Sequence, residues 1–350
     1  MNNVNLKWLF FVSKPYSFPI LEPIQKMILK MNFGQVKWFI IGSALRHSCP
    51  GGQLQSNQDV EIYNPDAVIV PGNIVPHYWP GLKVQIFHGL DDEVKGFYKI
   101  TGFFDLYCTA GPSMTYRFSK LANKKKHFLV KQTGWPKIDS IYNEKIEFYE
   151  QQKHLISQYK LFPGLPIVLY APTFPSKYTS ALELLPEIEK LKNQDYNWIV
   201  KFHPLMDKKI VEKYKNICGD NFQVSDEINI LFLMAGADIM LTDTSSVAYE
   251  FLHFNRPLIT YKTIARVDKG IDIKDSSDLY AAIERSLNDP GEFSPNRAKN
   301  LNDVHPYSDG NSSKRVLIEI KNILDNGLQN HLKEKPRNIL RKYQIRKLFS

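Results

Sequence analysis

Cysteine is scarce in this sequence: Cys49, Cys108 and Cys218 are the three cysteines in 350 residues, and they are widely separated. There is no Cys-x-x-Cys pair and no even-numbered set, which argues against a zinc site and a disulfide framework. The N-terminal residues 1–15 also lack a long apolar run, since the run at residues 8–12 is too short for a signal sequence or a membrane span. We therefore expect a protein of a reducing compartment, cytosolic or peripheral to a membrane.

Excess charge is small over most of the chain. The formal net charge is +9, but residues 331–350 carry seven basic side chains against one acidic side chain. The nearly neutral remainder argues against a nucleic-acid-binding protein, whose positive charge should follow a groove on the folded domains. The basic tail predicts an anionic partner, either an anionic lipid surface or an anionic polymer.

Apolar residues are plentiful enough for two domain cores. The chain is 43% hydrophobic and 13% aromatic, and its 350 residues correspond to about two domains. Short runs that are apolar on both faces alternate with segments of helical spacing, which predicts parallel sheets covered on both faces. The predicted strands are residues 8–12, 36–41, 67–70, 84–87, 106–109 and 128–132 in a first series, and 167–170, 198–202, 222–224, 239–241 and 258–261 in a second.

The two series predict two α/β domains. Residues 139–163, rich in Glu, Lys and Gln, read as a solvated linker helix between them. We place the domains at residues 1–160 and 161–315, followed by a C-terminal helix and basic tail at 316–350. Ligands bind beyond the carboxyl ends of strands in open parallel sheets, so we expect the chemistry in a cleft between the two domains.

The first candidate site follows the predicted strand at residues 84–87. His88 stands there, and an imidazole with a pKa of about 6.5 can take a proton from an alcohol nucleophile and release it at neutral pH. Gly89 would let a substrate approach the backbone closely. A loop histidine that is hydrogen-bonded to backbone is the simpler alternative.

Two more candidates follow strands of the second series. His203 precedes Pro204, which ends the strand and forces a turn, so His203 is either part of a rigid turn or a donor aimed at a phosphate. The run Thr-Asp-Thr-Ser-Ser at 242–246 precedes a predicted helix at 247–254, whose N-cap would be Thr244 or Ser245, and hydroxyls with unpaired N–H groups at a helix start bind anions. Glu250 would bind ribose hydroxyls, or else lie exposed on the helix.

Six segments together resemble a known family. They are Phe87-His88-Gly89 with Lys95, Gly134-Trp135-Pro136-Lys137-Ile138-Asp139, Leu169-Tyr170-Ala171-Pro172-Thr173-Phe174, His203-Pro204, residues 237–246, and Asp309-Gly310-Asn311-Ser312-Ser313-Lys314-Arg315. In this order over residues 87–315 they resemble the CDP-glycerol glycerophosphotransferase family, the teichoic-acid polymerase group.

The resemblance implies a GT-B fold with two Rossmann-like domains facing across a cleft, an acceptor domain at 1–160 and a nucleotide-binding domain at 161–315. It also implies a peripheral enzyme on the cytoplasmic face of the plasma membrane. In the family, an acceptor hydroxyl attacks the β-phosphorus of a CDP-alcohol and CMP leaves, which makes His88 the base and His203 the second essential histidine. The substrate-binding residues that we predict are Gly89, Thr173, Asp243, Thr244, Ser245, Ser246, Glu250 and Arg315.

We therefore predict transfer of glycerol or ribitol phosphate from CDP-glycerol or CDP-ribitol to a lipid- or saccharide-linked hydroxyl, in capsule, teichoic acid or lipopolysaccharide synthesis. The alternatives are a GT-B nucleotide-sugar glycosyltransferase, a sugar-nucleotide 2-epimerase, or a non-catalytic assembly component that would have lost both histidines. No cofactor or metal is expected, because no Asp-x-Asp pair lies near the predicted site; Asp91-Asp92, beside His88, is the competing metal candidate.

Overall fold

The structure is a computed structural model that describes residues 5–46, 49, 51–90, 98, 100–144 and 147–349. Lys95 of the first motif and the Asp91-Asp92 pair lie outside the described residues. The chain divides into two compact units. The first contains the described residues up to Asn143 together with those from Val304 onward, and the second spans Glu144–Asp303.

Strands and helices alternate along both units. The strands are β1 (Leu6–Val12), β2 (Gly34–Ile40), β3 (Gln53–Leu54), β4 (Ala67–Val70), β5 (Leu82–Gln85), β6 (Leu106–Thr109), β7 (Leu129–Gln132), β8 (Ile167–Tyr170), β9 (Asn197–Lys201), β10 (Phe222–Ser225), β11 (Ile239–Thr242), β12 (Leu258–Tyr261) and β13 (Ile271–Ile273). The helices are α1 (Phe18–Met31), α2 (Asn57–Tyr63), α3 (Pro112–Lys125), α4 (Asp139–Asn143), α5 (Phe148–Tyr159), α6 (Ala181–Leu191), α7 (Lys208–Lys215), α8 (Ile230–Gly236), α9 (Val247–Phe251), α10 (Leu279–Asn288), α11 (Ser294–Val304), α12 (Ser312–Asp325) and α13 (Ile339–Phe349).

Each unit is built on one parallel sheet. The first sheet has the strand order β3-β2-β1-β4-β5-β6-β7 and the second has β10-β9-β8-β11-β12-β13. In both sheets the order reverses once, between β1 and β4 and between β8 and β11, which is the doubly wound topology of Rossmann-like domains. β4, β8, β11 and β12 are buried along their whole length. The predicted fold class, two parallel-sheet α/β domains with a helical C-terminus, is confirmed.

The division of the chain falls at a different place from the predicted boundary near residue 160. Helix α5, in the predicted linker, packs on α8 within the second unit, where Leu155 is buried and lies close to Gly236. After the second unit, the chain returns to the first unit at Val304. There the backbone N–H groups of Ser312 (2.8 Å) and Ser313 (2.7 Å), at the start of α12, donate hydrogen bonds to the Asp139 carboxylate.

The C-terminal helix α13 also belongs to the first unit. Ile345 is buried, and the Phe349 ring packs on the rings of Phe11 (5.4 Å between centroids) and Trp79 (5.7 Å). The amide of Asn57 donates a hydrogen bond to the Phe349 carbonyl (3.0 Å). One face of the basic tail is therefore part of a domain core. Within the described ranges, no helix combines the length and apolar character needed to cross a membrane.

Candidate functional site

In the second unit, the predicted residues follow strands on both sides of the point where the strand order reverses. Asp243, directly after β11, is fully buried, and its carboxylate accepts hydrogen bonds from Thr173 N (2.9 Å), Ser180 N (2.9 Å) and Ser180 Oγ (2.8 Å). Asp243 thereby ties the loop that follows β8 to the end of β11, and it holds Thr173 beside the crevice where doubly wound sheets bind ligands.

The run Thr-Asp-Thr-Ser-Ser at 242–246 leads into α9 as predicted, although the N-cap residue of the helix differs from the prediction. The N-cap is Ser246, not Thr244 or Ser245, and the Ser246 hydroxyl makes no capping bond. Thr244 Oγ1 instead accepts a hydrogen bond from Ile264 N (3.3 Å), so Thr244 braces a neighbouring loop. Glu250 is buried, which rules out the exposed helix glutamate offered as its alternative.

His203 follows β9, the neighbour of β8 in the sheet. Its imidazole stacks on the Phe174 ring, with 4.3 Å between ring centroids. The backbone N–H of Leu205 donates a hydrogen bond to His203 Nδ1 (3.1 Å). Because Nδ1 is an acceptor here, the proton of the neutral imidazole lies on Nε2, and Nε2 is a hydrogen-bond donor. This arrangement fits the predicted donor to a phosphate.

In the first unit, His88 follows β5 and is exposed. The ring of Tyr16, in the segment after β1, lies 5.7 Å from the His88 imidazole. Phe87, immediately before His88, is buried and has a left-handed backbone (φ 60°). β5 therefore ends at Gln85, two residues before the predicted end, and the chain turns sharply to present His88 and Gly89 at the carboxyl edge of the sheet.

Arg315 lies in the first unit and not in the predicted nucleotide-binding domain. Its Nε donates to the Thr133 carbonyl (2.8 Å), its Nη atoms donate to the Asp309 carboxylate (2.8 and 3.0 Å), and its guanidinium lies 3.8 Å from the centre of the Tyr307 ring. The Arg315 side chain holds the pKa of Asp309 down, to about 2. Arg315 thus braces the motif at residues 134–139.

Gly134 in that motif needs its lack of a side chain. It has a left-handed backbone (φ 81°), and a Cβ there would overlap the Ser312 hydroxyl. The next residue, Trp135, donates its backbone N–H to His305 Nε2 (2.9 Å) and its indole N–H to the Phe87 carbonyl (3.2 Å). The motif at 134–139 therefore connects the segment at 305–315 to the residue that precedes His88.

We predict that His305 makes the first unit sensitive to acid. Burial lowers the pKa of His305 from 6.5 to about 4, so between those values the unfolded chain binds a proton that the folded chain does not. The free energy of unfolding should fall as the pH falls through this window, by up to about 3 kcal/mol. Urea unfolding from pH 7 to 4.5 measures the slope.

The control is His305→Gln, whose free energy of unfolding should fall less steeply between pH 7 and 4.5. Burial also lowers the pKa values of His77 and His127, and the difference between the two proteins separates His305 from them. Identical slopes would contradict the prediction.

Four residues near the candidate sites lack a prediction from the sequence. Tyr16 follows β1 at the same sheet edge as His88, so the strand-end rule could have found it. Phe174 and Ser180 lie in or after a motif, but nothing in the sequence links them to His203 or Asp243. His305 is a single histidine after a helix, and no motif or pattern in the sequence indicates that it contacts Trp135.

Comparisons with known sequences agree on one family. A sequence profile described as CDP-Glycerol:Poly(glycerophosphate) glycerophosphotransferase matches residues 82–266. The chain is 29% identical over 245 residues to a teichoic acid glycerol-phosphate primase of Bacillus subtilis (strain 168), covering 66% of this chain and 61% of the primase. It is 26% identical over 204 residues to a teichoic acid poly(ribitol-phosphate) polymerase of Bacillus spizizenii, covering 51% of this chain and 31% of the polymerase. The chain thus spans less than two thirds of either relative.

Solved structures share the fold. The wall teichoic acid polymerase TagF superposes with a TM-score of 0.69 at 15% identity, over 93% of this chain and 91% of that chain. A UDP-GlcNAc 2-epimerase from Neisseria meningitidis superposes with a TM-score of 0.64 at 16% identity, over 92% of this chain and all of the other. The GT-B fold expected from the sequence is therefore confirmed, and the fold alone does not separate the two activities.

Proposed function

This chain belongs to the CDP-glycerol:poly(glycerophosphate) glycerophosphotransferase family, and we propose that it transfers a polyol phosphate from a CDP-alcohol to an acceptor hydroxyl. The acceptor is a lipid- or saccharide-linked hydroxyl of a cell-surface polymer, and CMP is released. The observation that carries the proposal is the family match over residues 82–266, which contains His88, His203 and Ser245-Ser246 at the carboxyl ends of strands.

The proposed reaction is a displacement at phosphorus. The acceptor oxygen forms a bond to the β-phosphorus of the CDP-alcohol, the bond from that phosphorus to the bridging oxygen breaks, and CMP leaves with the bridging oxygen. His88 takes the proton of the acceptor hydroxyl. His203, whose Nε2 is a donor, stabilises charge that develops on the phosphate oxygens, together with the hydroxyls of Ser245 and Ser246. Glu250 is proposed to bind the ribose.

The direct test is nucleotide release from a panel of donors. Purified protein is incubated with CDP-glycerol, CDP-ribitol and UDP-GlcNAc, each with a lipid-linked saccharide acceptor, and the nucleotides are quantified. We expect CMP from one or both CDP-alcohols and no UDP. Release of UDP, or epimerisation of UDP-GlcNAc without CMP release from either CDP-alcohol, would refute the proposed function.

We propose that the transfer needs no metal ion. Asp243, the carboxylate that follows β11, is buried and already accepts hydrogen bonds from Thr173 and Ser180. Among the residues that the structure describes, no group of three or more His, Cys, Asp or Glu side chains has a metal-binding arrangement. We predict equal rates with and without EDTA. Loss of activity in EDTA, restored by magnesium or manganese, would contradict this and favour Asp91-Asp92.

The tail is proposed to contact an anionic membrane at the inner face of the plasma membrane. While Ile345 and Phe349 pack in the core, Leu340 and Tyr343 on α13 are 81% and 68% exposed. The same helix carries four basic side chains, Arg341, Lys342, Arg346 and Lys347. Apolar side chains entering the interface, with about 1 kcal/mol for each basic residue near anionic lipid, would hold the helix at the surface.

We predict that Leu340→Glu/Tyr343→Glu lowers binding to phosphatidylserine vesicles at least about tenfold, because each glutamate removes apolar contact and repels the anionic surface. Point substitutions are preferable to truncation, which would remove Ile345 and Phe349 from the core. Vesicle sedimentation at low salt measures the effect.

The matched control is Ile62→Glu, which changes a side chain of the same unit that is 74% exposed. It should bind vesicles like the unaltered protein. Equal vesicle binding by the α13 double variant and the unaltered protein would show that this face is not the anchor.

A further inference from the structure

The residue before His88 is held in a conformation that a phenylalanine does not adopt without support. Phe87 has a φ of 60°, and a left-handed backbone costs a residue with a side chain about 1–2 kcal/mol. Its ring is buried and packs on Phe118, with 5.1 Å between ring centroids. A strained residue that persists next to a candidate base points to surroundings that impose its geometry.

The Trp135 indole supplies one such constraint, 48 residues away in the sequence. Its Nε1–H donates to the carbonyl oxygen of Phe87 at 3.2 Å, and the bond is buried. That carbonyl belongs to the peptide group that joins Phe87 to His88. Holding the carbonyl sets the orientation of the planar peptide group and, with it, the direction in which His88 leaves the main chain.

Trp135 is itself fixed through its main chain. Its backbone N–H donates to His305 Nε2 at 2.9 Å, and both residues are 1% exposed. On either side of Trp135, Arg315 holds the Thr133 carbonyl and the Asp139 carboxylate is held by backbone N–H groups at the start of α12. The indole is therefore anchored to a rigid segment of the same unit.

We propose that Trp135 and His305 are positioning residues for His88. Trp135 holds the Phe87–His88 peptide, and His305 holds Trp135. The proposal rests on the proposed role of His88 as the base. A base must lie within hydrogen-bonding distance of the proton that it removes, and a displacement of about 1 Å can cost about 100-fold in rate.

The test is Trp135→Phe, which keeps an aromatic ring and removes the indole donor. We expect kcat with CDP-glycerol to fall about 10- to 100-fold while KM for CDP-glycerol changes less than about twofold, because ground-state binding does not involve the base. The matched control is Trp8→Phe: Trp8 is fully buried in the same unit, and its indole donates to the Phe33 carbonyl (2.9 Å) at the other end of the sheet.

Both variants should lose similar thermal stability, and only Trp135→Phe should lose kcat. An unchanged kcat in Trp135→Phe, or an equal loss in Trp8→Phe, would overturn the proposal. For His305, Gln keeps an acceptor and Leu does not, so His305→Gln should retain a higher kcat than His305→Leu. Equal values would overturn the part assigned to His305.

A second readout does not depend on turnover. The Tyr16 ring lies 5.7 Å from the His88 imidazole, so its ring current reports a displacement of His88 in the NMR spectrum. Trp135→Phe should shift the His88 imidazole resonances and Trp8→Phe should not. If the unaltered protein released no CMP, the proposed function would fail, and an unshifted His88 signal in Trp135→Phe would still overturn this inference separately.

Discussion

Replacing His88 with alanine is expected to lower the rate of CMP release from a CDP-alcohol by about 10²- to 10⁴-fold, the contribution typical of a general base. Affinity for the CDP-alcohol should change by less than about tenfold, or 1.4 kcal/mol, because a base acts mainly in the transition state. His88 is exposed, so the substitution should change the free energy of unfolding by no more than about 0.5 kcal/mol. Steady-state kinetics, nucleotide titration and urea unfolding measure the three quantities.

The matched control for His88 is His331→Ala. His331 is another exposed histidine of the first unit and follows α12. It should leave rate, affinity and stability unchanged. Transfer by His88→Ala at nearly the rate of the unaltered protein would remove His88 from the mechanism, whereas a lost rate with a lost fold would show that the exposed side chain has a structural role.

The sheets are predictable from the sequence because a strand buried on both faces requires an unbroken apolar run. The strands predicted at 67–70, 106–109, 167–170 and 258–261 have the bounds of β4, β6, β8 and β12. Once the strands are known, their carboxyl ends locate His88, His203 and Ser245 without further information. This part of the candidate site depends on local pattern alone.

Phe87 shows where the local pattern becomes ambiguous. Ile86 and Phe87 are as buried as strand residues, each 1% exposed, so the apolar run continues past the end of β5 at Gln85. Burial does not distinguish a strand from a buried turn. The left-handed turn at Phe87 has a hydrogen-bond partner far away in the sequence, the Trp135 indole.

Contacts between distant segments account for the rest. The pair Trp135 and His305 is separated by 170 residues, and Asp139 and Ser312 by 173. No periodicity or composition reports such pairs in a single sequence. Both contacts join segments of the first unit, to which the chain returns after Asp303. Arg315 therefore lies in the same unit as His88 and not in the second unit.

His203 calls for a substitution that separates its ring from its nitrogens. The stack on Phe174, at 4.3 Å between ring centroids, needs only an aromatic ring, whereas a contact to phosphate needs the Nε2 donor. His203→Phe keeps the stack and removes the Nε2 donor, together with the Nδ1 acceptor of the Leu205 N–H. We expect kcat for CMP release to fall by about 10²- to 10³-fold, the effect of removing one preorganised donor to developing charge.

CDP-alcohol affinity should fall as well in His203→Phe, in contrast to His88→Ala, because a donor to phosphate contacts the bound substrate before the reaction. The control is His154→Phe on α5, an exposed histidine of the same unit, which should change neither quantity. If His203→Phe kept both the rate and the affinity, the imidazole would not be the phosphate donor, which would have to be sought among Ser245 and Ser246.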